Sequence, residues 1–196
     1  MIPLHSLDPN ANDVLTFWFG AEADRGKNRA DWFQKNPSFD DAIRARFLPL
    51  YEHAAAGHLQ DWLQNAVDCL ALIILLDQFP RNMFRNSYRA FAADHLAREA
   101  ARHALKNGFD LELAPVERMF VYLPLEHSES LADQEQCLKL MKALDVFPET
   151  HDMHVWAEKH RVIIERFGRF PHRNALLNRQ STPEEIEFLK QPGSGF

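Results

Sequence analysis

The chain is poor in cysteine, with two residues, and poor in glycine, with seven. Cys69 and Cys137 sit inside apolar helical patterns and form no Cys-x-x-Cys pair. That excludes a disulfide framework or zinc ribbon and fits a reducing compartment. So few glycines leave little material for tight hairpin turns. Long hydrophobic runs are missing as well: Cys69 to Leu76 falls far short of the ~20 residues that cross a bilayer. Met1-Ile2-Pro3-Leu4-His5 lacks the basic segment and apolar stretch of a secretory leader. The chain carries no excess of basic charge; its formal net charge of −6 argues against nucleic acid as a partner. No glycine-rich phosphate loop, dinucleotide fingerprint or nucleophile elbow is present, so no cofactor is expected. These absences point to a cytoplasmic protein with no membrane partner.

What is there suits a helical core. Hydrophobic residues make up 46% and include 15 Phe and 4 Trp. The length fits one domain over residues 1–196. Apolar spacings of three and four residues recur along the chain and predict helices. The first runs from Asp13 to Phe19 and stops at Gly20. Ser38 with Asp41 reads as a cap for a second, with a kink or break expected at Pro49. Asn65 to Phe79 is apolar nearly all round, the mark of a central buried helix, and Pro80 is expected to end it. Ala90 to Asn107 presents a small-residue face and stops at Gly108. A further stripe, Val116 to Leu123, is bounded by Pro115 and Pro124. Ser130 and Asp133 open the next helix, and His151 to Phe167 forms another. Thr182-Pro183-Glu184-Glu185 has the form of a capping box. The fold class is all-α, with helix hairpins stacked on one another.

Polar residues gather at three prolines. Gln78-Phe79-Pro80-Arg81-Asn82 is echoed by Arg169-Phe170-Pro171-His172-Arg173-Asn174. Between them lies Leu123-Pro124-Leu125-Glu126-His127-Ser128-Glu129. Glu126 beside His127 would let a carboxylate orient an imidazole, but a solvated loop in which Ser128 or Ser130 caps the following helix is the preferred reading. Asp77, at the end of the most apolar helix, needs an arginine or a helix N-terminus, with Arg81, Arg169 and Arg173 as candidate arginines. His160 falls within the stripe Met153, Trp156, Ala157, Ile163, Ile164 and Phe167. It is read either as a hydrogen-bonded core histidine or as one facing a pocket. His151, His154 and Glu158 share a face at metal-like spacing, but an exposed polar face is the preferred reading and no metal is expected.

Val14–Gly20, Leu75–Asn82, Tyr122–Glu129, Asp133-Gln134 and Arg166–Asn174, with Ser181–Ile186, together resemble a bacterial family catalogued as domain of unknown function 924. The resemblance implies a tetratricopeptide-like right-handed helical array and no established activity. Three readings of function follow. The first is a binding protein that takes a partner protein, a peptide or a small ligand in a groove near the helix-end turns. The second is an enzyme or anion receptor whose pocket gathers Arg81, Asn82, Glu126, His127, Ser128, His160, Arg169, His172, Arg173 and Asn174. The third makes that cluster purely structural.

Overall fold

The computed structural model describes residues 8–195. Met1–His5, read above for the lack of a leader, lie outside the described residues. Among the described residues the regular elements are all helices. None is long and apolar enough to cross a membrane.

Helix α1 (Pro9–Phe19) starts at Asp8, whose carboxylate accepts from the Asn10 and Ala11 amides. It therefore begins earlier than Asp13, because Pro9 is well placed in a first helical turn. It ends at Gly20, where φ is +89°. Its buried face is Ala11, Val14, Leu15, Trp18 and Phe19. Helix α2 (Pro37–Ala55) is capped by Asn36, which accepts from the Phe39 amide; Ser38 lies inside the first turn and is not the cap.

The expected stops at Pro80 and Pro124 are corrected. Helix α3 (Ala66–Ile73) passes through a π turn (Ile74–Gln78) straight into α4 (Phe79–Met83), with Pro80 inside it. Helix α2 likewise continues past Pro49, and α6 (Pro115–Glu126) past Pro124. A proline loses one backbone bond and its ring crowds the carbonyl four residues back. In the third helix the π turn makes room: the Phe79 amide donates to Ile74 O, five residues back. Burial of Phe79, Met83, Val121 and Leu125 offsets the lost backbone bonds.

Helix α3 is buried on every side and packs against α1, α5 (Asp94–Asn107) and α6. Then α5, α6, α7 (Leu131–Ala143) and α8 (His154–Phe167) each pack on the next. The Ala97, Ala100, Ala101 and Ala104 face of α5 meets this stack. Aromatic rings fill the far end: Trp32 stands edge-on to Phe120 at 4.9 Å and donates its indole N–H to Trp18 O at 2.9 Å. A smaller apolar cluster of Ile163, Ile164 and Phe170 seats Phe167 of α8 and Phe188 of the short helix α9 (Pro183–Leu189). Its capping box is formed as read, by Thr182 and Glu185. Trp156 departs from its predicted place in the core; it is 50% exposed, with the Lys159 ammonium over its ring.

Candidate functional site

The π turn brings Asp77 into the centre of the protein, where it is 0% exposed. Its Oδ1 accepts from His127 Nδ1 at 2.8 Å and lies 3.2 Å from Arg81 Nη1. Its Oδ2 accepts from Gln78 Nε2 at 2.6 Å. Arg81 reaches on to Asp94 in a bidentate pair at 2.9 and 3.1 Å. Burial pushes the Asp77 carboxyl up, but Arg81 and His127 outweigh it and hold it well below the usual carboxylate range. The imidazole of His127 is lowered, first by burial and then by Arg81.

The less favoured reading, in which Glu126 orients His127, does not hold. Successive helical residues point about 100° apart, so neighbours in sequence do not face each other. His127 turns to Asp77, while Glu126 turns to His160, with Oε1 3.3 Å from Nδ1. That second contact is between neutral groups at pH 7. Burial and the Asp77 charge raise the Glu126 carboxyl to about 8. Burial lowers His160 to about 3. The His160 Nδ1–H donates to Trp156 O at 2.9 Å, and its ring stands edge-on to Phe170.

Arg173 closes the cluster from the turn after Pro171. Its Nη1 donates to His127 O at 3.0 Å and lies 3.5 Å from Asp94 Oδ2. The guanidinium lies over the rings of Phe91 and Phe170, at 4.7 and 4.4 Å. The side chain is buried, and its Nε has no hydrogen-bond partner among the described residues. Burial, then Arg81, lowers this guanidinium to about 10.

Above these residues opens a cleft of about 450 Å³. It is lined by Phe91, Asp94, Arg98, Arg102, His127, Ser128, Glu129, Ser130, Asp133, Arg173 and Leu177. Its carboxylates each have a guanidinium. Asp94 has Arg81, Asp133 has Arg102 at 2.7 and 2.9 Å, and Glu129 has Arg179 at 2.7 and 2.9 Å. The Arg98 side chain makes no hydrogen bond or ion pair among the described residues. Ser128 donates to Asp133 Oδ2 at 2.6 Å and accepts from the Ser130 amide, so its hydroxyl braces the loop.

Of the residues read from sequence, Arg81, Glu126, His127, Ser128, His160 and Arg173 come together here. Asn82 goes elsewhere: it donates to Asp40 at 2.7 Å, in a network with Arg85. Arg169 and Asn174 both bind Glu185 and hold the start of α9. His172 packs against Phe170, and burial followed by Arg173 lowers it to about 4. The exposed set also separates: His154 pairs with Asp145 and Glu158 with Arg161.

Sequence reading missed Asp94, Arg98 and Arg102. Their spacing of four along α5 puts all three on one face, a signal hidden beside the alanine stripe. It named Gln134 only within a family motif and missed its role. That fully buried side chain donates to Glu126 O at 2.5 Å and Ser128 O at 2.7 Å, satisfying carbonyls left open at the end of α6.

Fold and site define an all-α protein with a cleft lined by arginines and carboxylates over a buried carboxylate–imidazole–guanidinium network. The chain belongs to the family of bacterial proteins of unknown function named DUF924, whose model matches residues 14–193. It is similar to the solved structure of a protein of unknown function, ATU0120, from Agrobacterium tumefaciens. The two are 40% identical with a TM-score of 0.81, over 92% of this chain and 97% of that one. No curated protein matches the chain.

Proposed function

We propose that the cleft binds a small anion, a carboxylate or phosphate, between Arg98 and Arg173. The observation that carries this is the buried Arg173, with its Nε–H unpartnered among the described residues, in a cleft whose carboxylates already have other guanidiniums. An N–H kept from water without an acceptor costs about 1–3 kcal/mol, and an acceptor that reaches it recovers that cost. Guanidinium is suited to this work, since its fork meets carboxylate and phosphate oxygens in pairs. The volume of about 450 Å³ suits a small molecule better than a folded partner.

Thermal melting with inorganic phosphate or succinate, at constant ionic strength, tests the proposal. Bound ligand at about 100 times its Kd adds about 2.7 kcal/mol and raises Tm by several degrees. Arg98→Ala removes a cation that braces nothing among the described residues, so this variant folds and loses most of the rise. Arg173→Gln also loses it. A rise that survives both substitutions, or no rise at all in the wild type, overturns the proposal and favours a purely structural cluster.

A further inference from the structure

We infer that the cleft is an active site in which His127 moves a proton to and from an anionic small molecule held by Arg98 and Arg173. This rests on the anion-binding reading above. The geometry supplies three requirements for such a group. First, the imidazole is fixed: Nδ1 is taken by Asp77 at 2.8 Å. Second, its partner is fixed as well. Asp77 is held by Gln78 and Arg81, and Arg81 by Asp94. With Asp77 ionised, Nδ1 carries the hydrogen and Nε2 keeps the lone pair. Third, His127 lines the cleft, so Nε2 is the ring nitrogen left for a ligand. A histidine that only braced the fold would need no free nitrogen at the edge of a cavity.

The same residue sets the distance to the substrate. Arg173 donates to the His127 carbonyl at 3.0 Å, so the proposed anion clamp and the proposed base are tied by one hydrogen bond. The charged and titratable groups around the ring are Asp77 and Arg81 from the π turn and α4, and Asp94 from α5. His160 from α8 and Arg173 from the last turn complete the set. Burial and Arg81 lower the imidazole and so favour its neutral, proton-accepting form. In the step, an O–H, N–H or activated C–H bond of the substrate breaks heterolytically. The electron pair stays on the substrate atom and the proton passes to Nε2. Asp77 stays ionised and stabilises the imidazolium until the proton is returned to the product. His127 is thus the catalytic residue, with Asp77 and Arg81 positioning it.

Bromoacetate tests this, because it pairs a carboxylate with an electrophile. The Nε2–carbon bond forms as the carbon–bromine bond breaks and bromide leaves. Peptide mass mapping after reaction reports which of the ten histidines is carboxymethylated. We expect His127 to react with a saturable rate, about tenfold or more faster than with neutral bromoacetamide. We also expect phosphate to protect it and the rate to fall as acid protonates the ring. Arg98→Ala should abolish saturation while leaving the fold intact. If phosphate raises Tm yet His127 reacts no faster than the exposed His151, the catalytic inference fails and anion binding stands. If His127 reacts equally with both reagents and phosphate does not protect it, the anionic substrate is refuted together with the reading beneath it.

Discussion

Replacing Glu126 with glutamine is expected to stabilise the protein by an amount that grows with pH. The carboxyl is buried, and burial together with the Asp77 charge raises it from 4.5 to about 8. Between those two values the folded chain keeps a proton that the unfolded chain has released. The stability this group contributes is therefore full below pH 4.5 and is lost as pH rises to about 8. The slope is about 1.4 kcal/mol per pH unit. Wild type has then lost under ~1 kcal/mol at pH 5 and about 3 kcal/mol at pH 7. Glutamine needs no proton to be neutral, so Glu126→Gln escapes the decline. Any fixed difference in packing between the two side chains shifts its whole curve without changing the slope. Urea unfolding of both proteins at pH 5, 6, 7 and 8 reads the gap directly. It should widen steadily by about 1 kcal/mol or more per pH unit. Parallel curves over that range would refute the argument, because they would mean that Glu126 is ionised in the folded protein.

Asp77→Asn leaves Arg81 short of one carboxylate and sets an amide donor against Gln78 Nε2. Breaking a buried pair costs about 3–5 kcal/mol, so Tm should fall by roughly 10 °C at pH 7. The loss should shrink in acid, since Asp77 titrates lower in the folded chain and its contribution disappears as pH falls through that range. Gln134→Leu frees the carbonyls at the end of α6 and should cost about 2–3 kcal/mol in urea unfolding; a change under about 0.5 kcal/mol would deny the clamp its role. Thr182→Ala removes the cap of α9 and about 1 kcal/mol of local stability. Hydrogen exchange over Pro183–Leu189 should quicken about fivefold, with α3 unaffected.

Helix positions and the apolar faces were legible because periodicity reports burial directly. Proline was the main source of error. Pro80 and Pro124 read as stops, since local sterics disfavour them inside a helix, but the burial of Phe79, Met83 and Leu125 outweighs that preference. Of the site, Arg81 and Arg173 were visible from the Phe-Pro echo, and His127 from the turn at Pro124. The partner of His127 was not: adjacency in sequence suggested Glu126, whereas space supplied Asp77 from fifty residues away. Asp94 and Arg98 escaped notice because a charged face on an amphipathic helix usually points only to solvent.

The π turn at Ile74–Gln78 also bears on how this protein can change by descent. It is a helix carrying one residue beyond its regular winding. Deleting a single codon there would rewind the helix and turn Phe79–Met83 by about 100°. Arg81 would swing away from Asp94 and Asn82 away from Asp40 in the same event. Two networks on different sides of the helix thus share one helical register, and a lineage that lost the extra residue would lose both at once.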